Sequence, residues 1–535
     1  MSEGGGGAPW WASFRMLTAV AIAQAAVLVP FHYLATEDGP TNIASAHIIT
    51  SYPGPYRQYL ELDFFPKFDM LWQLLLSLMV RLMPALVAER IMVVALVIAL
   101  PLAGWYAARA VRPDGGPVAF LLLPLSIGYF QHAGYDSFCV GLVLFLVTVG
   151  WWLRHRDDGG VRPYVVLIVL LVLTYLAHLV ALAMTVGLLA VVTAWEMFTN
   201  SDRRRGPRRL VMLAVGTVPA IVLVAIYATR RTSVSGTSRL GLKELAQDLV
   251  TLRPALASMA RLEVGPSLLI GLTVIGLAAF TLWCYAPRLL RDPSHAWLVA
   301  TLAAVAVYFI APDSIGDGGQ ISARLILFVV MAAVMWFAWF DYGRRVLAVI
   351  VALSLVATAG LTVLHVPKYV GFNRDIGEFT SVTDQMPNGS TVLALNFVQA
   401  QDSTSGLTSS KWTRPVIQDL GYVVADRNVV DLSHFDGGLS YFITQFRDDV
   451  NPFHFIGFDR NWLADSPPHV NILDYEAKTG GKGKIDYIVT WGEDQATDAT
   501  RSSPLYDDVR SQLASGYRLV ATSSRGHAKL YQRSS

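Results

Sequence analysis

The chain has 535 residues, 53% of them hydrophobic and only 15% charged, a balance that exceeds the needs of a soluble core and marks a polytopic membrane protein. Its net charge of +2 is spread without a dominant basic block, which excludes nucleic acid as a partner. The two cysteines, Cys139 and Cys284, lie in apolar runs, which excludes a disulfide framework or a cysteine-based metal site.

In chain order, residues 1–15 read as a cytoplasmic N-terminus carrying the glycine run Gly4 to Gly7. The first apolar run, 16–31, has no small-residue cleavage site at its end and is expected to stay as an uncleaved span. Further apolar runs at 90–108, 117–131, 137–153, 164–177, 179–197, 210–228, 266–286, 296–311, 323–340 and 346–364 bring the expectation to about eleven spans. Arginines follow alternate spans: Arg109 and Arg112; Arg154 and Arg156; Arg203, Arg204, Arg205, Arg208 and Arg209; Arg288 and Arg291; Arg344 and Arg345. The positive-inside rule makes these connections cytoplasmic and leaves the first loop, 32–89, outside. A helix at 68–83 is apolar enough to span, but spanning would invert every later arginine cluster. It is therefore expected on the outer surface, with Asp69, Gln73 and Arg81 reaching water. The loop 229–265 sits on the same side although it carries Arg230, Arg231, Arg239, Lys243, Arg253 and Arg261, because long loops obey the rule less strictly.

An odd span count puts the C-terminus outside. From 366 to 535 turn signals and short β-branched runs replace the apolar spans, predicting an α/β domain. Strands are expected at Thr391 to Phe397, Ile485 to Trp491 and Tyr517 to Thr522, with a helix at 504–515. The fold expected is thus a transmembrane bundle over 16–365 followed by an outer α/β domain.

Topology gathers polar residues on the outer face: Glu37 and Asp38; Asp63, Lys67 and Asp69; Gln131, His132, Tyr135 and Asp136; His178; and Arg324. A carboxylate there suits deprotonation of an attacking hydroxyl, and nearby cations suit an anionic leaving group.

The sequence resembles the GT-C class of membrane glycosyltransferases. The likeness rests on the acidic Glu37-Asp38 in the first outer loop, the surface helix, Glu89-Arg90 at the next span, Tyr135-Asp136 at the fourth, and the outer domain. Within that class it is similar to a bacterial branch carrying Asp-Gly-Pro-x-His, Gly-Phe-Tyr-Asn-Phe-like and Gly-Gly-x-Ile-x-x-Arg-Leu stretches. Here these read Asp38-Gly-Pro-Thr-Asn42, Gly134-Tyr-Asp-Ser-Phe138 and Gly318-Gly-Gln-Ile-Ser-Ala-Arg-Leu325. Asn42 stands where the branch has His, and His47, a little over one helical turn on, is placed to compensate.

The resemblance implies an inverting transfer of sugar from a polyprenyl-phosphate carrier to an acceptor hydroxyl on a glycan, lipid or protein, at the outer face of a bacterial plasma membrane. It implies Asp38 as base, with Glu37 and Asp136 as companion acids. Arg324, Lys67 and Arg90 would face the donor phosphate, and Asn42, His47, Asp69, Gln73, His132, Tyr135 and His178 would line the site. No cofactor is firmly expected, although paired carboxylates can hold Mg²⁺ or Mn²⁺.

Each residue also has a plainer reading. Asp38 and Asp136 are good helix N-caps, Arg324 and Lys67 ordinary interface anchors, and Arg90 a topology signal. His132 and His178 read as bundle histidines at the water boundary. His434, with Asp431 and Asp436, reads as a solvated loop rather than a metal cluster. The rival functions are a lipid-linked glycan transporter, which would need polar groups on both halves of its path, and a non-catalytic scaffold.

Overall fold

The computed structural model describes residues 9–199, 205–230, 236–285, 292–316, 318–458 and 462–534. Gly4 to Gly7 and the arginines Arg203, Arg204, Arg231, Arg288 and Arg291 lie outside the described residues.

Apolar sequence dictates helices wherever backbone polar groups must be satisfied within one segment. In chain order these are α1 (Phe14–Ala26), α2 (Gly39–Ser51), α3 (Met70–Val80), α4 (Ala85–Val111), α5 (Tyr129–His132), α6 (Asp136–His155), α7 (Arg162–Ala177) and α8 (Leu179–Phe198). They continue with α9 (Gly206–Arg230), α10 (Leu242–Thr251), α11 (Arg253–Leu256), α12 (Val264–Tyr285), α13 (Ala296–Ile310), α14 (Ile321–Phe337) and α15 (Arg344–Ser381). Among the described residues, seven helices are long and apolar enough to cross a membrane: α4, α6, α8, α9, α12, α13 and α15, the last three within slightly longer helical runs. Shorter apolar helices are α1, α3, α7 and α14. On α9, Val211, Val215, Val218 and Val222 are all exposed, an outward apolar stripe that suits lipid.

The expected span 117–131 is not an α-helix. It forms two 3₁₀ helices, Gly116–Leu122 and Pro124–Ile127, then α5, and it is buried throughout. Pro117 and Pro124 each open a 3₁₀ turn, and the lack of side chain at Gly104 and Gly116 lets α4 close on this segment. A Cβ on Gly104 would lie 2.2 Å from Leu122 and one on Gly116 2.6 Å from Trp105. Irregular backbone of this kind persists at membrane depth only when protein encloses it.

The C-terminal part begins on α15, which runs unbroken past residue 366, and continues with α16 (Leu420–Asp426). Strands are short in the bundle: β1 (Leu60–Leu62), β2 (Thr237–Ser238) and β3 (Ser314–Ile315), with β2 pairing β3. The C-terminal strand-containing domain, for which the label outer domain is kept as a name only, adds β4 (Thr391–Asn396), β5 (Val430–Asp431), β6 (Thr444–Phe446), β7 (Tyr487–Trp491), β8 (Tyr517–Thr522) and β9 (Ala528–Arg533). Five of them form a mixed sheet in the order β5-β4-β7-β9-β8, parallel at β5-β4-β7 and antiparallel from β7 onward. The expected strands and the helix before β8, Pro504–Gly516, are present.

Bundle and outer domain interlock. The first loop lends β1 to β6 of the outer domain, and Tyr422 on α16 donates to the Leu34 carbonyl at 2.8 Å. Gly421 lets α16 sit directly on α2, since a Cβ there would lie 2.1 Å from the Pro40 oxygen. The segment carrying Asp436 and Ile443 bonds Gln73 of α3 and corrects the expectation that the polar residues of this helix reach water: Gln73 is fully buried and Asp69 faces an internal cavity, while Arg81 is exposed. The polar face of α3 is satisfied by protein instead of solvent.

Candidate active site

The cavity, about 480 Å³, lies where the first loop, the starts of α6 and α14, and the outer domain meet. Sequence-expected residues Asp38, Asn42, Asp69, Tyr135, Asp136, His178 and Arg324 line it. They converge because two loops are joined along their backbones. Glu37 N donates to the His132 carbonyl at 2.9 Å and Asp38 N to that of Ala133 at 3.1 Å. Gly134 makes the approach possible, with φ of +72° and space for no Cβ, which would stand 2.6 Å from Gly39 N.

Asp38 precedes α2, but its side chain does not cap the helix. Its Oδ1 accepts from Gln418 Nε2 of the outer domain at 2.8 Å. Burial pushes its carboxyl well above the usual range, and the neighbouring Glu37 and Asp436 raise it further. Asp136 opens α6, accepting from Gln131 Nε2 at 3.2 Å and Asn42 Nδ2 at 3.3 Å. Asn42 also bonds the Gly134 carbonyl at 3.0 Å, so it braces the acidic loop.

Arg324, one turn into α14, presents its guanidinium over the Tyr135 ring, 5.0 Å from the centroid, and donates to the Gly319 carbonyl. Its Nε is buried without a partner. Asp69 has its pKa lifted by burial to about 7, a rise that the Arg324 charge partly offsets. His178 accepts from Val180 N at 3.1 Å, capping α8, and its ring packs on Phe138 at 4.9 Å. It is buried rather than at a water boundary.

Other expected residues stand behind the lining. Gln73 Nε2 donates to Asp436 Oδ2 at 2.8 Å, and its Oε1 accepts from Ile443 N at 3.1 Å. Lys67 is buried, paired with Asp63 at 2.8 Å and donating to the Ser440 and Phe442 carbonyls. It thereby holds the loop that carries Tyr441 and Phe442 into the cavity. Glu37 accepts from Arg414 N at 2.9 Å, on the outer-domain side. His132 is buried in a separate cluster, bonded to Tyr369 at 2.6 Å and close to Ser258 and His365. Arg90 donates to the His32 carbonyl and does not line the cavity, and Glu89 turns inward beside Gly39. His47 points away to Asn428 at 3.0 Å, so it does not stand in for the histidine missing at position 42.

Asp436 is the main residue that the sequence reading misplaced. The loop expected to be solvated is buried: Asp431, His434 and Asp436 are each at most 5% exposed. Asp436 accepts from Ser45 at 2.7 Å as well as from Gln73, and burial lifts its pKa to about 7. His434 bridges Thr41 and Ser45 of α2, at 3.1 Å to each. The signal available was Asp436-Gly437-Gly438, in which both glycines allow close packing on Phe446 and Phe453. Among the described residues no group of three His, Cys, Asp or Glu side chains converges to hold a metal ion.

No family model matches the chain, and no curated protein matches it. Among solved structures, ArnT from Cupriavidus metallidurans bound to undecaprenyl phosphate is similar over 98% of this chain and 98% of that one, with a TM-score of 0.52 at 12% identity. The chain has the GT-C fold. The oligosaccharyltransferase of Archaeoglobus fulgidus, tethered to an acceptor peptide, aligns over 98% of this chain and 75% of that one, at 12% identity and a TM-score of 0.45. In this GT-C chain the first loop, the start of α6, the start of α14 and the outer domain all contribute walls to one cavity.

Proposed function

We propose that the protein transfers a sugar from a polyprenyl-phosphate carrier to an acceptor hydroxyl on a glycan, lipid or protein, on the outer face of a bacterial plasma membrane. The observation that carries this reading is the presence of Asp38 and Arg324 in the walls of one cavity. A carboxylate and a guanidinium in one enclosed site fit the two ends of a displacement: base at the nucleophile, cation at the leaving phosphate.

Asp38 takes the proton of the acceptor hydroxyl as that oxygen attacks the anomeric carbon. Its burial favours this, because a carboxylate with a raised pKa is a stronger base than an exposed one. The carrier phosphate departs toward Arg324, whose planar fork matches two phosphate oxygens. A single in-line step inverts the anomeric centre. Asn42 and Gln131 hold Asp136, and Gln418 orients Asp38. The apolar parts of the wall, Phe68, Val224 and Tyr227, suit the first isoprene units of the carrier.

The test is transfer of radiolabelled sugar from a panel of polyprenyl-phosphate sugars by purified protein and Asp38→Asn, with acceptor extracts added. Turnover lost in the variant while carrier-lipid binding persists supports the reading. Binding without turnover in the native protein across the panel overturns it in favour of a transporter or scaffold.

A further inference from the structure

A second pocket lies in the outer domain, about 200 Å³ in volume, at the carboxyl ends of the parallel strands β4 and β7. Asn396 and Trp491, the last residues of those strands, form part of its wall. The crevice outside the carboxyl ends of parallel strands is where open α/β sheets bind ligands. The remaining wall is predominantly polar, with Gln399, Gln401, Arg414 and Ser466. Ser466 Oγ is buried there without a hydrogen-bond partner, and a buried unpaired hydroxyl calls for a polar group opposite it.

We infer that this pocket binds a single sugar unit. Side-chain amides and a hydroxyl supply both donors and acceptors at short range, which matches the hydroxyls of a pyranose and not a lipid chain. Trp491, Val398 and Leu407 give part of the wall an apolar character for the C–H groups of the ring. The volume is below the usual range for drug-sized ligands, about 300 Å³ and up, and fits one ring rather than a nucleotide.

One segment of chain joins the pocket to the active-site candidate. Arg414, Val416 and Ile417 line it, while in the same segment Arg414 N bonds Glu37 and Gln418 bonds Asp38. A sugar seated there steadies the segment that orients Asp38. The binding inference stands without the transferase reading; this coupling rests on it.

The experiment is titration of the full-length protein in detergent with glucose, galactose, mannose, arabinose and N-acetylglucosamine, read by calorimetry and by saturation-transfer NMR. Gln399→Ala and Gln401→Ala alter exposed side chains that leave the fold intact. Saturable binding of one of these sugars, weakened at least tenfold in the double variant but unchanged in Arg324→Ala, supports the pocket. Absence of saturable binding by all five sugars overturns it. So does binding lost in Arg324→Ala and kept in the double variant, which places the sugar in the other cavity. Loss of transfer in Asp38→Asn with sugar binding retained separates the two readings.

Discussion

Asn42 Nδ2 donates to Asp136 Oδ2 at 3.3 Å and to the Gly134 carbonyl at 3.0 Å, so one amide ties α2 to the first turn of α6. An imidazole at this position would reach one of these acceptors with a given ring nitrogen, whereas the amide reaches both. Asn42→Ala is expected to lower turnover on the order of tenfold, the effect of losing one hydrogen bond to a charged group. The fold should be kept, as checked by thermal unfolding of the same preparation.

The pH dependence follows from burial. Asp38 is held above the ordinary carboxylate range, so it is protonated and inactive as a base at low pH. Turnover should rise with pH through an inflection above the ordinary carboxylate range. Asp436 adds to the upward push on Asp38, so Asp436→Asn should move that inflection to lower pH. Because Asp69 and Asp436 are themselves lifted to about 7, the curve belongs to the group of acids rather than to one residue. A pH–rate profile of both proteins checks this; an inflection that stays fixed in the variant contradicts it.

Arg324→Lys keeps the charge and loses the fork. The expected result is a rise in KM for the carrier-linked donor of about tenfold, with Arg324→Ala worse by a further factor of about ten. Steady-state kinetics over a range of donor concentrations separate this from a loss in kcat alone.

Gly134→Ala meets two obstacles together: φ of +72° and backbone nitrogens of Gly39 and Asp38 at 2.6 and 2.8 Å from the new carbon. Neither nitrogen can move without breaking the paired loops. The variant should unfold at a markedly lower temperature and show no transfer, measured by thermal denaturation in detergent and by activity at low temperature.

How far the sequence carries can be seen residue by residue. Long apolar runs read correctly because a helix in lipid must satisfy its own backbone, so composition alone locates α4, α6, α8, α9, α12, α13 and α15. The run 117–131 misled because its apolarity reflects enclosure by protein, and proline and glycine turn it into 3₁₀ backbone. That Asp38, Asp136 and Arg324 share one cavity follows from their order relative to the spans. The burial of Asp436 was not legible, because its partners are Ser45 and Gln73, 391 and 363 residues earlier in the chain. Lys67 and His47 were misjudged for the same reason: their partners, Ser440, Phe442 and Asn428, come from the outer domain, and local pattern says nothing of such pairings.

The strand pair β1–β6 and the hydrogen bonds that Arg414 N and Gln418 Nε2 donate to Glu37 and Asp38 bear on biosynthesis. The first loop emerges from the ribosome early and waits for partners 377 and 380 residues further along the chain. Contacts this distant in sequence form slowly, since a long loop must close before they gain anything. Until then the acidic loop has His132 and Ala133 beside it but not its cover, and the cavity takes shape only when the segments around Gln418 and Asp436 fold back over the first loop.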